Sequence, residues 1–291
     1  MVKINCVILN YNDADTVLGL VDEIRGYHSL HRIVIVDNAS TDDSWEKLEP
    51  LRGKKIDVLR AEKNGGYGAG NNLGVSHSVL VDHADYVLIA NPDVKFSEDC
   101  VRALAGVLKR HKELAVAAAS MEDQTFGAMR NGWKVHGFWG ELFAMGPISR
   151  RVFRLFLNYP NRYFEGKKAV YVDAVHGSML MVDGWKFLTA GGYDEEIFLY
   201  QEETVLASRL KARGYRTVLL LNHSYRHEHS VSISKSFQGQ MERQKLRNAS
   251  VLYYLKQYHK IGPVREWIAK RWFDGILMEI RVAGWLQKIH T

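Results

Sequence analysis

The chain has 291 residues, of which 46% are hydrophobic and 25% charged, a globular composition that excludes disorder over the whole length. The formal net charge of +6 favours an anionic partner without naming it, since nucleotides, anionic lipids and nucleic acids would all fit. Two cysteines without a Cys-x-x-Cys pair indicate a reducing compartment, and no apolar run is long enough to predict a membrane-spanning helix.

Up to about residue 120, short β-branched runs alternate with amphipathic segments. The runs predict strands over 4–9, 32–36, 56–59, 86–89 and 114–119. The segments between them predict helices over 13–27, 42–51, 68–81 and 97–110. This alternation predicts βαβ units and a mostly parallel α/β sheet that is buried on both faces. The N-terminus leads directly into the first strand without a secretion signal, so we expect a cytoplasmic protein.

After residue 120 this rhythm changes. Residues 120–168 are rich in glycine, aromatic residues and arginine, which predicts an irregular insertion. We then predict a core strand over 170–182, a helix over 204–213 and a strand over 216–221. From about residue 237 the sequence is helical, with an interruption at Gly262-Pro263 and a last segment that mixes tryptophans with basic residues.

Polar clusters follow four consecutive predicted strands. The carboxyl ends of parallel strands meet at one edge of a sheet, where ligands collect. The clusters are Asn10-Tyr11-Asn12, Asp37 to Asp42, Asn64 to Asn72 and Asn91-Pro92-Asp93. Each cluster alone is a weak signal, whereas four in order on consecutive βα turns are a strong one.

Each of three clusters has a binding interpretation and a structural one. Asp37 can accept hydrogen bonds from a nucleobase or ribose, or it can cap a helix. The glycine-rich turn from Asn64 opens a helix whose N-terminal amides favour phosphate, or it is only a tight turn. Asp93 suits a Mg²⁺ or Mn²⁺ ion shared with substrate phosphates, or it caps the helix after an Asn-Pro turn.

These clusters and later motifs resemble the family 2 glycosyltransferases, in particular their rhamnosyltransferase-like branch. The later motifs are Val175 to Leu180, Gly191 to Glu195, Phe198 to Tyr200, Glu202 to Arg209 and Gly214-Tyr215. The resemblance covers about residues 3–230. It implies the GT-A fold, a mostly parallel Rossmann-like sheet flanked by helices, and inversion at the anomeric carbon of the transferred sugar.

The resemblance also implies a donor site at the strand ends. Its residues would be Asn10, Tyr11, Asp37, Asn64, Gly65, Gly66, Asn71, Asn91 and Asp93. Asp93 would hold the divalent cation, as the DXD motif does in relatives, although Asn91 stands at the first acidic position. Members of the family often carry a histidine after the last core strand, so His227 or His229 would reach the metal or the diphosphate. Gly177 and Ser178 would line the acceptor side.

The general base of the family belongs to a Glu-Asp pair at the start of a helix, where this chain has Glu202-Glu203. Glu203 replaces the usual aspartate, and Val205 stands where a further acidic residue is usual. We predict that Glu203 takes the proton from the acceptor hydroxyl, with Glu202 as its rival or partner. The alternative is an acidic first turn that only complements the helix dipole.

We therefore expect a metal-dependent, inverting hexosyltransferase that uses dTDP-rhamnose or a UDP-hexose and a saccharide acceptor, in the synthesis of bacterial cell-surface polysaccharide. The expected division is a GT-A domain of residues 1–235, with a donor half to about residue 120, and an amphipathic extension of residues 236–291. A non-catalytic nucleotide-sugar binding module is the alternative. Nucleic-acid binding is disfavoured because it leaves the strand-end clusters unexplained.

Two basic regions each have more than one interpretation. Arg150, Arg151 and Arg154 either clamp phosphate or face solvent. The C-terminal helix with its tryptophans and basic residues fits three arrangements: contact with a membrane surface, packing on the core, or a homodimer contact. Membrane contact would suit a lipid-linked acceptor at the inner face of the plasma membrane.

Overall fold

The computed structural model describes residues 2–123, 127–129, 131–228 and 239–289. The first part of the chain forms the predicted βαβ units. Its strands are β1 (Ile4–Asn10), β2 (Arg32–Asp37), β3 (Ile56–Arg60), β4 (Tyr86–Ala90), β5 (Val94–Phe96) and β6 (Leu114–Asp123). Its helices are α1 (Ala14–Ile24), α2 (Ser44–Leu48), α3 (Gly66–Leu80) and α4 (Glu98–Arg110), with a 3-10 turn at Glu49–Leu51.

The middle part of the chain contains short elements before the last core strand. Its strands are β7 (Gly127–Met129), β8 (Gly132–Trp133), β9 (Ala169–Val172), β10 (Ala174–Val175), β11 (Met179–Asp183) and β12 (Arg216–His227). Its helices are α5 (Phe138–Met145), α6 (Pro147–Val152), α7 (Arg154–Leu157), α8 (Gly184–Ala190) and α9 (Glu202–Ala212), with a 3-10 turn at Asn161–Tyr163. The insertion predicted as irregular thus contains three short helices.

One prediction in this part was wrong. The apolar run over 170–182 forms three strands, β9, β10 and β11, instead of one. Asp173 interrupts the run, and its carboxylate pairs with Lys211 at 3.0 Å. A loop at Gly177 interrupts the run again, because the backbone of Gly177 bonds to the side chains of Glu203 in α9 and Tyr67 in α3.

The main sheet has the strand order β3-β2-β1-β4-β11-β6-β12-β5. Neighbouring strands from β3 to β4 are parallel, and so are β6 and β12. β11 lies antiparallel between β4 and β6. Because β1 to β4 all run in the same direction, their polar clusters meet at one edge of the sheet, as the sequence predicted.

The sheet is buried on both faces because successive side chains of a strand point to opposite sides. Ile8 and Ile35 belong to one core layer, with α1 and α4, whereas Val7 and Val34 belong to the other, with α3 and α8. Both layers are continuous apolar clusters, which explains the uninterrupted apolar runs of the central strands.

Residues 239–289 contain the helices α10 (Gln240–Gln257) and α11 (Pro263–Ile289). A third apolar cluster joins them to α5 through Leu142, Val251, Phe273 and Ile276. The Trp272 indole also donates a hydrogen bond to the Leu142 carbonyl at 2.8 Å. Packing on the insertion therefore accounts for one face of α11. None of the helices within the described ranges is both long and apolar enough to cross a membrane.

Candidate active site

A polar network joins the ends of the first two strands. The Asn10 side-chain amide donates to Asp37 at 2.9 Å and to the Ser40 hydroxyl at 3.1 Å. The side chains of Asn10 and Asp37 are fully buried, and the Arg60 guanidinium approaches Asp37 to 3.7 Å from the surface. Asp37 therefore bonds to protein groups in this structure, and its contact with a nucleotide stays a prediction. Tyr11, at the rim, is partly exposed.

The glycine-rich turn is held from both sides by protein. Asn38 donates to Asn64 at 2.9 Å and to the Gly66 carbonyl at 3.1 Å. Gly66 has φ +86°, and a Cβ there would lie 2.2 Å from the Phe198 carbonyl oxygen. Only glycine fits this position, because the loop that leads to α9 crosses directly over it.

The other residues predicted in this turn have local roles. Asn71 is buried and its amide donates to the Tyr67 carbonyl at 3.0 Å, within the first turns of α3. Gly65 precedes α3 as its N-terminal flanking residue. Contact of this turn with a donor phosphate stays a prediction.

Asp93 lies next to one of the two predicted histidines. The His227 Nε2 atom is 3.2 Å from Asp93 Oδ1, and both side chains are less than a tenth exposed. His176, which the sequence analysis did not assign to the site, has its ring centre 5.7 Å from that of His227. His229 lies outside the described residues. A carboxylate and an imidazole this close can bind one divalent cation together with phosphate oxygens.

A second group of possible metal ligands lies elsewhere. Asp57, His77 and Asp82 approach one another within 4.8 Å, but Asp57 stands near the amino end of β3. The Arg32 guanidinium already neutralises both carboxylates, at 3.0 Å from Asp57 and 3.2 Å from Asp82. Asn5, which bonds to Asp82, is five residues or about 17 Å along β1 from Asn10. This cluster is therefore remote from the strand-end site.

An unusual turn places the two acidic residues of α9. Tyr200 (φ +71°) and Gln201 (φ +75°) are consecutive left-handed residues directly before the helix. Such non-glycine conformations cost of the order of 1 kcal/mol each and concentrate at functional sites. The turn directs Glu202 and Glu203 into a cavity of about 580 Å³.

Gly177 is clamped between two side chains in this cavity. Its N–H donates to Glu203 Oε1 at 3.0 Å, and its carbonyl accepts from the Tyr67 hydroxyl at 2.7 Å. A Cβ at Gly177 would lie 2.7 Å from that glutamate oxygen. The neighbouring Ser178 does not line the cavity, since its hydroxyl lies 2.7 Å from the Tyr225 hydroxyl in the core. Only the first of the two predicted acceptor-side residues thus faces the cavity.

Glu202 is the more buried member of the acidic pair. Burial, and then the charge of Glu203, raise the pKa of Glu202 to about 8. Its Oε1 atom is buried and has no hydrogen-bond partner among the residues that the structure describes. Glu202 is therefore mainly protonated at neutral pH.

The opposite wall of the cavity comes from the insertion and from α10. Glu141 is only 6% exposed and accepts a hydrogen bond from the Gln201 amide at 3.0 Å. Burial raises the pKa of Glu141 to about 7. Arg150 and Arg247 also line this wall, whereas Asn91 lines the cavity from the strand ends. The sequence marks Glu141 as unusual, because it is a single carboxylate within the apolar run of α5. No such sequence signal marks Arg247 as a site residue.

The missing acidic residue of the α9 pattern has a structural explanation. Val205 is fully buried and packs with Ile197 and Tyr254 of α10. This position points away from the cavity into an apolar contact, so a carboxylate there would be buried without benefit to the site.

Comparisons with known proteins point to one family. The sequence model described as Glycosyl transferase family 2 matches residues 6–183. A low-salt glycan biosynthesis hexosyltransferase, Agl10 of Haloferax volcanii, is 24% identical over 72% of this chain and 61% of its own length. The N-acetylglucosaminyl-diphospho-decaprenol L-rhamnosyltransferase of Mycobacterium tuberculosis is 25% identical over 64% of this chain and 62% of its own length. The chain thus spans about three fifths of the length of these curated relatives.

Solved structures agree on the fold. The mannosyltransferase PcManGT of Pyrobaculum calidifontis, in complex with GDP-Man and Mn²⁺, has a TM-score of 0.56 at 14% identity, over 93% of this chain and 69% of that one. TarS of S. aureus in complex with UDP-GlcNAc has a TM-score of 0.59 at 14% identity, over 91% and 69%. The GT-A fold predicted from the sequence is confirmed.

Proposed function

Because the chain belongs to glycosyl transferase family 2, we propose that it transfers one sugar from a nucleoside diphosphate sugar to a hydroxyl group of a saccharide acceptor. The observation that carries this proposal is the position of Glu203. Its carboxylate lies in a cavity that Asn91 and His176 also line, so a candidate base faces the ends of the strands that would hold the donor.

On the donor side, the nucleoside would lie over the carboxyl ends of β1 to β4, with Asp37 in contact with the base or ribose. Asp93 and His227 would hold a Mg²⁺ or Mn²⁺ ion, whose charge offsets that of the leaving diphosphate. Their 3.2 Å separation supports a shared ion. His176 stands close enough to orient His227 or to contact the same phosphates.

On the acceptor side, Glu203 accepts the proton of the attacking hydroxyl. The Gly177 N–H donates a hydrogen bond to one oxygen of Glu203 and so fixes the orientation of the carboxylate. The other oxygen is thereby oriented to receive the proton. Glu202 stays protonated because of its raised pKa, and so it does not add a second repelling charge to the pair. Attack assisted by one base, without a covalent intermediate, would invert the anomeric carbon.

The names of the relatives support finer proposals. One relative is a hexosyltransferase, and the other is named for rhamnosyl transfer to a diphospho-decaprenol carrier. From these names we propose that the donor is dTDP-rhamnose or a UDP-hexose and that the acceptor is a lipid-linked saccharide. The corresponding role is in cell-surface polysaccharide synthesis. The face of α11 opposite its buried residues exposes Trp267, Met278 and Trp285. Such a face suits a membrane surface, and a homodimer contact would use the same residues.

The first experiment measures thermal melting with UDP, dTDP, GDP and CMP, each with and without Mn²⁺. A ligand at a hundredfold excess over its dissociation constant stabilises the folded state by about 2.7 kcal/mol. A shift with one diphosphate that grows with Mn²⁺ supports the donor site and names the nucleotide. Transfer assays then use the matching sugar nucleotides.

The outcome also separates enzyme from binding module. Asn91, which departs from the family's acidic pattern at the strand ends, is the observation that favours a module. Nucleotide binding without transfer to any saccharide would support the module, whereas no shift with any nucleotide would contradict the proposed donor site.

A further inference from the structure

Two arginines on helices outside the main sheet line the cavity. Arg150 comes from α6 and Arg247 from α10. Among the described residues, neither guanidinium has a carboxylate oxygen within 4 Å, whereas Arg32, Arg102 and Arg209 each pair with an acidic side chain. The Arg247 guanidinium instead stacks 4.8 Å from the centre of the Tyr200 ring, in the turn before α9.

The acidic groups that share the cavity do not balance these charges. Glu202 and Glu141 have pKa values raised by burial to about 8 and about 7, so near neutral pH Glu202 is mainly protonated and Glu141 is partly protonated. Burial also lowers the pKa of His136, which keeps that ring neutral. Two guanidinium groups therefore face little more than the one carboxylate of Glu203, and the cavity favours a ligand that is itself anionic.

We propose that this cavity binds an acceptor with a phosphate or diphosphate group next to its reacting sugar, and that Arg150 and Arg247 bind that group. The inference rests on the proposed function, because it specifies the acceptor of the same cavity. A planar guanidinium donates two parallel hydrogen bonds to a phosphate, so two of them can fix its position. A cavity of about 580 Å³ has the size of a typical small-ligand site.

The surface beside Arg150 indicates what carries the phosphate. Ile148, Val152, Leu155 and Phe156 are 64%, 69%, 86% and 59% exposed. Ile148 and Val152 lie one turn apart on α6, and Leu155 and Phe156 follow on α7, so four exposed apolar side chains lie within residues 148–156. The next residues, Leu157 and Asn158, line the cavity. A lipid chain attached to the phosphate would thus leave the cavity beside exposed apolar side chains, which a soluble sugar phosphate would not need.

The test measures binding directly, without transfer. Isothermal titration calorimetry in EDTA, which removes any metal at Asp93, compares farnesyl diphosphate, glucose 1-phosphate and glucose as probes. We expect farnesyl diphosphate to bind, and Arg150→Gln and Arg247→Gln each to weaken binding about tenfold through the loss of a charge-assisted contact. Arg151→Gln on α6 and Arg243→Gln on α10 are matched controls, and we expect wild-type affinity from both.

The three probes distinguish a lipid-linked phosphate from the phosphate of a soluble acceptor. Binding of glucose 1-phosphate alone, weakened by the same two substitutions, supports phosphate recognition with a soluble acceptor. Arg247→Lys keeps the charge and should recover part of the affinity if its partner is anionic. Wild-type affinity in both Arg150→Gln and Arg247→Gln, with melting temperatures unchanged, would overturn the inference. So would a complete loss of binding in Asp93→Ala, because the phosphate would then belong to the donor site. Failure of the proposed function is seen separately, as absent nucleotide shifts.

Discussion

The strand ends of β1 to β3 and the cavity beside α9 hold their polar groups in different ways. At the strand ends, Asn10 donates to Asp37 and Asn38 donates to Asn64, all within three consecutive βα units. In the cavity, Glu141, Glu203 and Arg247 come from three distant stretches, and burial raises the pKa of Glu141. The arrangement of the first region is therefore determined by residues in consecutive βα units, whereas that of the second depends on how the insertion, α9 and α10 pack together.

The largest expected effect tests which acidic residue is the base. Glu203→Gln should lower the transfer rate about 10²- to 10⁴-fold, because the acceptor hydroxyl loses its proton acceptor. Glu202→Gln replaces a carboxyl that is already mainly protonated and should cost far less. Steady-state transfer rates, with nucleotide melting shifts as the folding control, check this. The reverse order of the two effects would assign the base to Glu202.

The next effect concerns the metal. Asp93→Ala should lower transfer about a hundredfold and abolish the Mn²⁺-dependent part of the nucleotide melting shift, because a cation ligand contributes several kcal/mol. Asp57→Asn, in the remote cluster with Arg32, is the control and should keep the Mn²⁺ response. If the response instead vanishes in Asp57→Asn and persists in Asp93→Ala, the metal does not lie at the strand ends.

A smaller effect is expected at the clamped glycine. Gly177→Ala places a Cβ 2.7 Å from Glu203 Oε1, and overpacking of this kind costs about 1–3 kcal/mol. We expect a transfer rate lowered about tenfold with nucleotide binding unchanged, since the displaced group lies on the proposed acceptor side. Gly137→Ala, which adds a Cβ with no atom within 4 Å, is the matched control. Equal rates in the two variants would show that the contact relaxes freely.

The last effect concerns stability instead of transfer, namely the dependence of stability on pH. Glu141 has its pKa raised from 4.5 to about 7, so between these values the folded protein holds a proton that the unfolded chain has lost. The contribution of Glu141 to stability therefore falls as pH rises through this range, by about 1 kcal/mol per pH unit, and levels off above about pH 7. Denaturant melts of Glu141→Gln should show a flatter profile between pH 5 and 7. An unchanged slope would contradict the raised pKa.

The strand-end cluster was predictable because strand direction alone brings those residues together. Asn10, Asp37 and Asp93 each follow a short apolar run, and consecutive parallel strands end at the same edge. The acidic pair of α9 was predictable only through the family resemblance, since an acidic first turn is common in helices.

The cavity wall was not predictable in the same way. Arg247 lies on a helix without a motif, and it reaches the site only because α10 packs against Val205 and Ile197. The three strands within 170–182 were missed because apolar composition does not reveal a backbone clamp such as the one at Gly177. Both failures concern contacts between residues far apart in sequence, which periodicity cannot report.

The position of β11 between β4 and β6 has a consequence for biosynthesis. β4 ends at residue 90, but its neighbour in the sheet begins only at residue 179, about 90 residues later. Chains elongate at about 5–20 residues per second, so the nascent protein presents an open strand edge for roughly 5–20 seconds after β4 is made. During that interval the edge is a template for pairing with other chains, and we expect a chaperone requirement to fall within it.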